Sequence, residues 1–332
     1  MFLSLRKPLW FVLSLGLVLV ACHREPVKPR IAVVPAGLEP IFWKTVHAGA
    51  VAAGLDLGAE ILWNGPTMEG DSNSQISIVN DYVKQGVRGI VLAPADPQAL
   101  VPAVEAAAKQ AVPLVVIDSG VRTNKYLTFV STDNYHGGAA AADRFGDQLP
   151  YGTPVAVIGG DPGTSATTEL ENGFREKLAK TYPGIKVVDF QYGMGNDEKS
   201  AAVAENIFKN DPGIGGIFCS TVSATLGAVK SAKAKGLAGK IKIIGFDMSP
   251  ALVDELKAGN IDMLIVRNPF RMGYMAVWTI LGHLKGHNPE RRVDTPAQSI
   301  TQATLNKQSV QELLNPPLDQ YLKKPAATQP AH

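Results

Sequence analysis

Short apolar runs recur along the chain, separated by longer stretches whose polar and apolar positions fall at helical spacing. The runs are Arg30–Val34, Gly89–Ala93, Pro113–Ile117, Pro154–Ile158, Gly216–Phe218, Lys242–Phe246 and Met263–Val266. Each is brief, rich in β-branched residues and continuous rather than alternating, the pattern of strands buried on both faces of a parallel sheet. The intervening stretches have readable ends. Asp96 precedes Pro97 and Ser249 precedes Pro250, which puts a capping side chain before a proline at the first helical position. Gly86 and Gly259 stand where a helix wants a left-handed C-terminal residue. Trp43, Val46, Ala50 and Ala53 share one face of a helix expected to begin after Pro40. Repeated strand–helix units with short connections predict an α/β fold of doubly wound, Rossmann-like parallel sheets covered by helices on both faces. The stretch 315–332 is rich in Pro, Ala and Gln and is expected to be a disordered tail, above all beyond Lys324.

The N-terminus breaks this rhythm. Arg6 and Lys7 form a basic start, and Leu9 to Val20 is an uncharged apolar run too short for a comfortable membrane span, with the length of a signal-peptide core. It ends in Leu19-Val20-Ala21-Cys22, which resembles a bacterial lipobox. That resemblance implies a signal peptide over 1–21, acylation of Cys22, and a polar tether over 22–29 that holds the chain to a membrane facing the periplasm or cell exterior. The competing reading is an uncleaved anchor with an incidental cysteine. Processing there would leave about 311 residues, a length for two domains. The net charge of +2 gives no basic face for nucleic acid. With Cys22 assigned to lipid, Cys219 stands alone, so there is no disulfide framework and no zinc-type pairing; a small buried strand residue is the plainer reading of it. His47, His136, His283 and His287 lack metal-ligand spacing and are expected at surface or cap positions, so no metal and no cofactor is expected.

In open parallel sheets ligands bind beyond the C-terminal strand ends. The loops there carry Glu39, Phe42 and Trp43 after the first run, then Asp118 and Ser119, then Gly159-Gly160-Asp161-Pro162-Gly163-Thr164-Ser165. Further on come Ser220 and Thr221, Asp247, and Arg267 with Asn268. Carboxylates and amides that bond hydroxyl pairs, beside aromatic rings that cover apolar ring faces, suit a sugar. The glycines fit neither the dinucleotide fingerprint nor the P-loop, and a strand-to-helix turn explains them.

An ordered set of segments carries a resemblance. Ile31-Ala32-Val33-Val34 leads to Ile41-Phe42-Trp43, then Val116-Ile117-Asp118, then Thr132-Asp133-Asn134-Tyr135-His136-Gly137-Gly138. Gly163-Thr164-Ser165-Ala166, Asn172-Gly173-Phe174, Ile244-Gly245-Phe246-Asp247 and Gly273 after Asn268-Pro269 follow. From about Lys28 to Leu314 the chain resembles a ribose/galactose-type periplasmic sugar-binding protein of the type I fold. The resemblance implies two lobes joined by three crossovers, the first from 30–132 with 268–298 and the second from 133–267 with 299–314. It implies a monosaccharide or related polyol in the interlobe cleft, an ABC-importer permease as membrane partner, and a monomer. It implies that Phe42 and Trp43 are the ring-stacking pair, Asp118 and Asp247 the sugar-hydroxyl carboxylates, and Asn134 the polar residue near the first crossover. Ser119, Thr168, Thr221 and Arg267 depart from the residues a ribose binder carries there, which leaves ribose itself open.

Other readings stand beside these. Asp118 and Asp247 serve equally as helix caps, Asp133 and Asn134 as the cap of the helix that follows, and Phe42 and Trp43 as core. Adjacent helical positions point apart, so one ring packs inward while the other lines the cleft. Arg267 either binds ligand or neutralises a cleft carboxylate such as Glu39. An enzyme would need a motif that is missing: there is no Gly-x-Ser-x-Gly, no His-Glu-x-x-His and no Walker sequence. A ligand-presenting receptor subunit for a membrane sensor shares every feature above with a transport protein.

Overall fold

A computed structural model describes residues 27–38, 41–162 and 164–323. The expected signal peptide, Cys22 with its expected lipid, Glu39 and the last nine residues lie outside them. The chain runs β1 (Arg30–Val34), α1 (Ile41–Leu57), β2 (Glu60–Trp63), α2 (Ser72–Lys84), β3 (Gly89–Leu92), α3 (Val101–Lys109), β4 (Leu114–Ile117) and β5 (Thr128–Ser131). It continues with α4 (Asn134–Gln148), β6 (Pro154–Gly159), α5 (Ser165–Thr181), β7 (Lys186–Tyr192), α6 (Asp197–Asn210), β8 (Gly216–Cys219), α7 (Val222–Ala234) and β9 (Lys242–Phe246). It closes with α8 (Pro250–Lys257), β10 (Met263–Val266), α9 (Pro269–Leu284), β11 (Arg292–Asp294), β12 (Gln298–Ile300), α10 (Gln308–Leu314) and α11 (Leu318–Leu322).

These strands make two six-stranded sheets, in the orders β11-β5-β4-β3-β1-β2 and β12-β10-β9-β8-β6-β7. Every pairing is parallel except β10 with β12. All seven apolar runs are strands. Those at the sheet centres, such as β3, β4, β8 and β10, are buried along their whole length, which is why they show no alternation. Each sheet has its own cores, one built on β1, α1 and α9, another on β6, α4 and α5. Each fully buried Ile, Leu or Phe there contributes about 1.5–3 kcal/mol. Two α/β lobes of the doubly wound type result. No helix among the described residues is long and apolar enough to cross a membrane.

The chain passes between the sheets three times: from β5 to α4, from β10 to α9, and from β11 to β12. Two of these passages are bonded to each other. Thr132 Oγ1 donates to the Thr295 carbonyl at 3.0 Å, Thr295 N–H to Ser131 O at 3.0 Å, and Asp133 N–H to Asp294 Oδ1 at 3.0 Å.

The helix ends follow sequence in part. Ser249 Oγ accepts from Leu252 N–H and starts α8 at Pro250, while Gly86 and Gly259 are left-handed as expected. Asp96 does accept from the N–H groups of Gln98 and Ala99, yet regular helix begins only at Val101. The tail expectation needs correction at its start. Residues 318–322 are helical because Tyr321 has an aromatic partner in Phe270, with ring centroids 5.7 Å apart, and α11 rests on α1. His47 is corrected too. It is a partly enclosed residue stacked on Trp63 at 4.2 Å, and burial lowers its pKa to about 4.

Glycine sets the spacing of two helix pairs. A Cβ on Gly49 would lie 1.9 Å from Phe270 O and one on Gly273 2.1 Å from Val46 O, so α1 and α9 touch backbone to backbone. Gly138 and Gly173 do the same for α4 and α5, at 1.8 Å from Leu170 O and 2.0 Å from Tyr135 O. The two lobes therefore share one local design: the helix after the first strand is clamped to the helix that enters by a crossover.

Candidate functional site

Asp118 and Asp247 each directly follow a central strand, β4 in the first sheet and β9 in the second. Both are left-handed, at φ +60° and +63°, a conformation that short polar side chains tolerate better than most. In each case the backbone is held by the next strand: Asp118 N–H donates to Val130 O at 3.1 Å, and Asp247 N–H to Ile265 O at 2.8 Å. Neither residue caps a helix. The turn that each one makes is instead a fixed, strained mount for a carboxylate at the sheet edge.

Arg267 joins the two. It follows β10 and precedes Asn268, whose side chain caps α9 by accepting from Arg271 N–H. Its Nη1 donates to Asp118 Oδ1 at 2.5 Å. Its Nη2 donates to Asp247 Oδ2 at 2.5 Å, and its Nε reaches both Asp247 oxygens at 3.0 and 3.1 Å. The guanidinium lies 4.2 Å from the Phe42 ring centroid and 5.1 Å from that of Phe246. The side chains of Arg267, Asp118 and Asp247 are only 12, 13 and 20% exposed. Burial by itself would discharge the arginine, but Asp247 and then Asp118 outweigh it and hold its pKa above the usual value. Two carboxylates and one guanidinium leave one net negative charge. The partners Arg267 takes among the described residues are thus the two aspartates; Glu39, the carboxylate named for that part, lies outside them.

The other expected residues sort by what their polar atoms already do. Phe42 is half-buried and faces the ion cluster. Trp43 is 4% exposed, packs in the first-sheet core and donates its indole N–H to Glu69; the two adjacent rings do not diverge but meet edge-on, with centroids 4.8 Å apart, and only Phe42 reaches the guanidinium. Ser119 Oγ bonds Asp118 at 3.3 Å. Asn134 opens α4, is 2% exposed, and its Oδ1 accepts no hydrogen bond among the described residues. The cap of α4 is Asp133, which accepts from His136 N–H at 2.9 Å. Thr164 precedes α5 and is exposed, while the Thr168 hydroxyl is turned back onto Thr164 O at 3.0 Å. Thr221 caps α7 by accepting from Ala224 N–H at 3.1 Å. Asp118, Asp247, Arg267 and Phe42 are brought into one cluster; Thr164 and Thr221 stand at the N-terminal caps of α5 and α7 and Thr168 in the first turn of α5, with the Thr168 and Thr221 hydroxyls bonded locally.

Two features were not visible in the sequence. Glu171, on α5, is buried and accepts from Ser220 Oγ at 2.7 Å and Gly160 N–H at 3.2 Å, which ties the loops after β6 and β8 together. Burial pushes its carboxyl above the usual range, against those two bonds and the charge of Arg175. Nothing local marks a mid-helix glutamate as such a brace; the loop serine was the only signal. Second, a chamber of about 330 Å³ opens beside the ion cluster. Phe42, Val222, Met248, Asp247 and Arg267 line it together with Leu313 and Pro316 from the C-terminal segment. Cys219 is buried on β8 with its thiol pushed up by burial, as the plain reading had it.

A model of the periplasmic binding protein domain matches residues 31–288. The D-ribose/D-allose-binding protein of Pseudomonas aeruginosa is 32% identical over 298 residues, covering 86% of this chain and 93% of that protein. The ribose import binding protein of Bacillus subtilis is 28% identical over 311 residues, covering 90% of this chain and all of that one. A carbohydrate transporter solute-binding protein from Agrobacterium radiobacter, solved with D-arabinose, superposes with a TM-score of 0.79 at 32% identity, covering 87% of this chain and 99% of its own. With the two-sheet, three-passage topology and a polar cluster where the sheet edges meet, these matches show that the chain belongs to the periplasmic binding protein family, in its type I fold.

Proposed function

We propose that this chain is an exported solute-binding protein that captures a monosaccharide between its lobes and hands it to an ABC-type importer, catalysing no reaction itself. The observation that carries this reading is the meeting of Asp118 and Asp247, one from each sheet edge, at a single cation beside the Phe42 ring. Carboxylates held in that way keep lone pairs for sugar hydroxyls, and hydrogen bonds to a charged group contribute about 1.5–3 kcal/mol each. A ligand that bonds both walls stabilises the arrangement in which the lobes are together, so capture is coupled to closure. The ligands for which the relatives are named, ribose, allose and arabinose, support the same class. The absence of nucleophile motifs in the sequence and the engagement of both carboxylates by Arg267 support a binding role over glycoside chemistry.

The lipid anchor belongs to this proposal. The basic start, the uncharged run and Leu19-Val20-Ala21-Cys22 support acylation of Cys22. Mass spectrometry of membrane-extracted protein should find Cys22 as a lipid-bearing N-terminus, and an unmodified thiol there would refute it. The binding function is tested by thermal shift against a panel of neutral pentoses, hexoses and polyols. A ligand at 100 times its Kd should raise stability by about 2.7 kcal/mol. A panel without any shift would refute the sugar reading.

A further inference from the structure

The C-terminal segment forms a connection between the lobes in addition to the three passages described above. Its first part belongs to the second lobe. Val310 and Leu314 of α10, with Leu305 before them, are buried in the core built on β8, β9 and α7. Its last part belongs to the first lobe. α11 rests on α1, and the Tyr321 ring meets Phe270 at the start of α9. Between them stands Asn315-Pro316-Pro317, where two prolines fix the backbone and remove two donors. A stiff link of three residues is thus anchored at one end in each lobe.

The link also lies across the passages about which the lobes would turn. A cleft of about 520 Å³ beside it is lined by Asn268, Pro269 and Gln298 from the second and third passages, and by Asn315, Pro317 and Tyr321 from the link itself. Pro316 and Leu313 continue to the wall of the chamber next to Asp247 and Arg267. Any rotation that separates the lobes must either stretch the link or lift α11 off α1. α11 has only five residues and no buried side chain, so its docking is the weaker of the two anchors and the element that yields.

We infer that residues 308–322 act as a strap that restrains opening of the lobes, and that docking of α11 on α1 biases the molecule toward its compact arrangement. This rests on the reading that the lobes move, and it gives that motion a control outside the ligand site. Tyr321→Ala weakens the first-lobe anchor while leaving Phe42, Asp118, Asp247 and Arg267 in place. A chain ending at Leu314 removes the anchor altogether.

The test is the lobe-to-lobe distance in the absence of any ligand. Spin labels on Met68→Cys and Tyr151→Cys, both strongly exposed and one in each lobe, are placed in the full chain carrying Cys22→Ser; Cys219 is buried and stays unlabelled. The expected result is a broader distribution displaced to longer distances in Tyr321→Ala, and a larger displacement in the chain ending at Leu314. Distributions that match the unaltered chain in both variants would overturn the inference, whether or not a sugar binds. D-allose and D-ribose are then added to the unaltered chain. A sugar that narrows its distribution, and narrows it less in the two variants, supports the strap as a determinant of retention. A distribution unmoved by any sugar counts against the proposed function while leaving the ligand-free result to judge the strap.

Discussion

Replacing Arg267 by glutamine removes the one cation that two enclosed carboxylates share. Four hydrogen bonds of 2.5–3.1 Å are lost, together with the stacking on Phe42 at 4.2 Å. Asp118 and Asp247 are 13 and 20% exposed, so water replaces little of what the guanidinium supplied. Breaking a buried ion pair by deleting one member costs about 3–5 kcal/mol, because the remaining charge is left uncompensated. For a chain of this size that is a fall in Tm of roughly 6–15 °C at neutral pH. The pH dependence follows in sign. Arg267 has its pKa raised in the folded state, so its contribution is present throughout the range below the ordinary arginine value and is lost only in strong alkali. In the variant the two carboxylates face each other without a counter-charge, and acidification relieves them, so the gap to the parent chain should narrow as pH falls. Thermal melts of both proteins from pH 4 to 8 check this, and equal melting temperatures at neutral pH would refute the shared ion bridge. Calorimetry on the same variant with D-ribose, D-allose and D-arabinose addresses the ligand. The two carboxylates that would accept sugar hydroxyls remain in the variant, so a neutral sugar should still bind; if a sugar acid or sugar phosphate added to the same panel is the sole ligand of the parent chain and the variant loses it, the arginine is an anion clamp instead.

Asp118→Asn and Asp247→Asn keep a side chain that accepts the left-handed backbone, and each should lower sugar affinity by roughly tenfold to a hundredfold in calorimetry; Asp247→Asn should also destabilise more, since Asp247 takes three of the four arginine bonds. His47 has its pKa lowered to about 4 by burial, so the unfolded chain binds the extra proton first and stability should fall by roughly 2–4 kcal/mol between about pH 6.5 and 4; His47→Phe should flatten that part of the stability profile, and an unchanged profile would exclude His47 as its source. Gly49→Val or Gly138→Val drives a side chain into a carbonyl less than 2 Å from the Cβ position, so both should abolish soluble folded protein, while a native-like melt of either would show that the helix pairs have room to separate.

Much of the architecture follows from local sequence because parallel central strands are buried on both faces. Such strands admit only apolar residues, so β1, β3, β4, β6, β8, β9 and β10 stand out as continuous runs. The edge strands do not. β2 and β7 are partly exposed and carry Glu60, Lys186 and Asp189, and β11 and β12 have three residues each; their strand state is decided by a neighbour's ladder of hydrogen bonds. The two aspartates could be singled out because each ends an apolar run where ligands gather. What they do together could not. Arg267 is 149 residues from Asp118 and 20 from Asp247 in sequence, and only the return of the chain after β10 brings its guanidinium to both. The same holds for Phe42 and Trp43, which differ by one position and by a rotation about α1 that sends one ring to the cation and the other into the core. It holds for α11, whose composition reads as a loose tail until Phe270 and α1 give Tyr321 a surface. Local sequence determined which segments had to be buried; the tertiary structure decided which charges meet, because that depends on contacts between residues far apart in the chain.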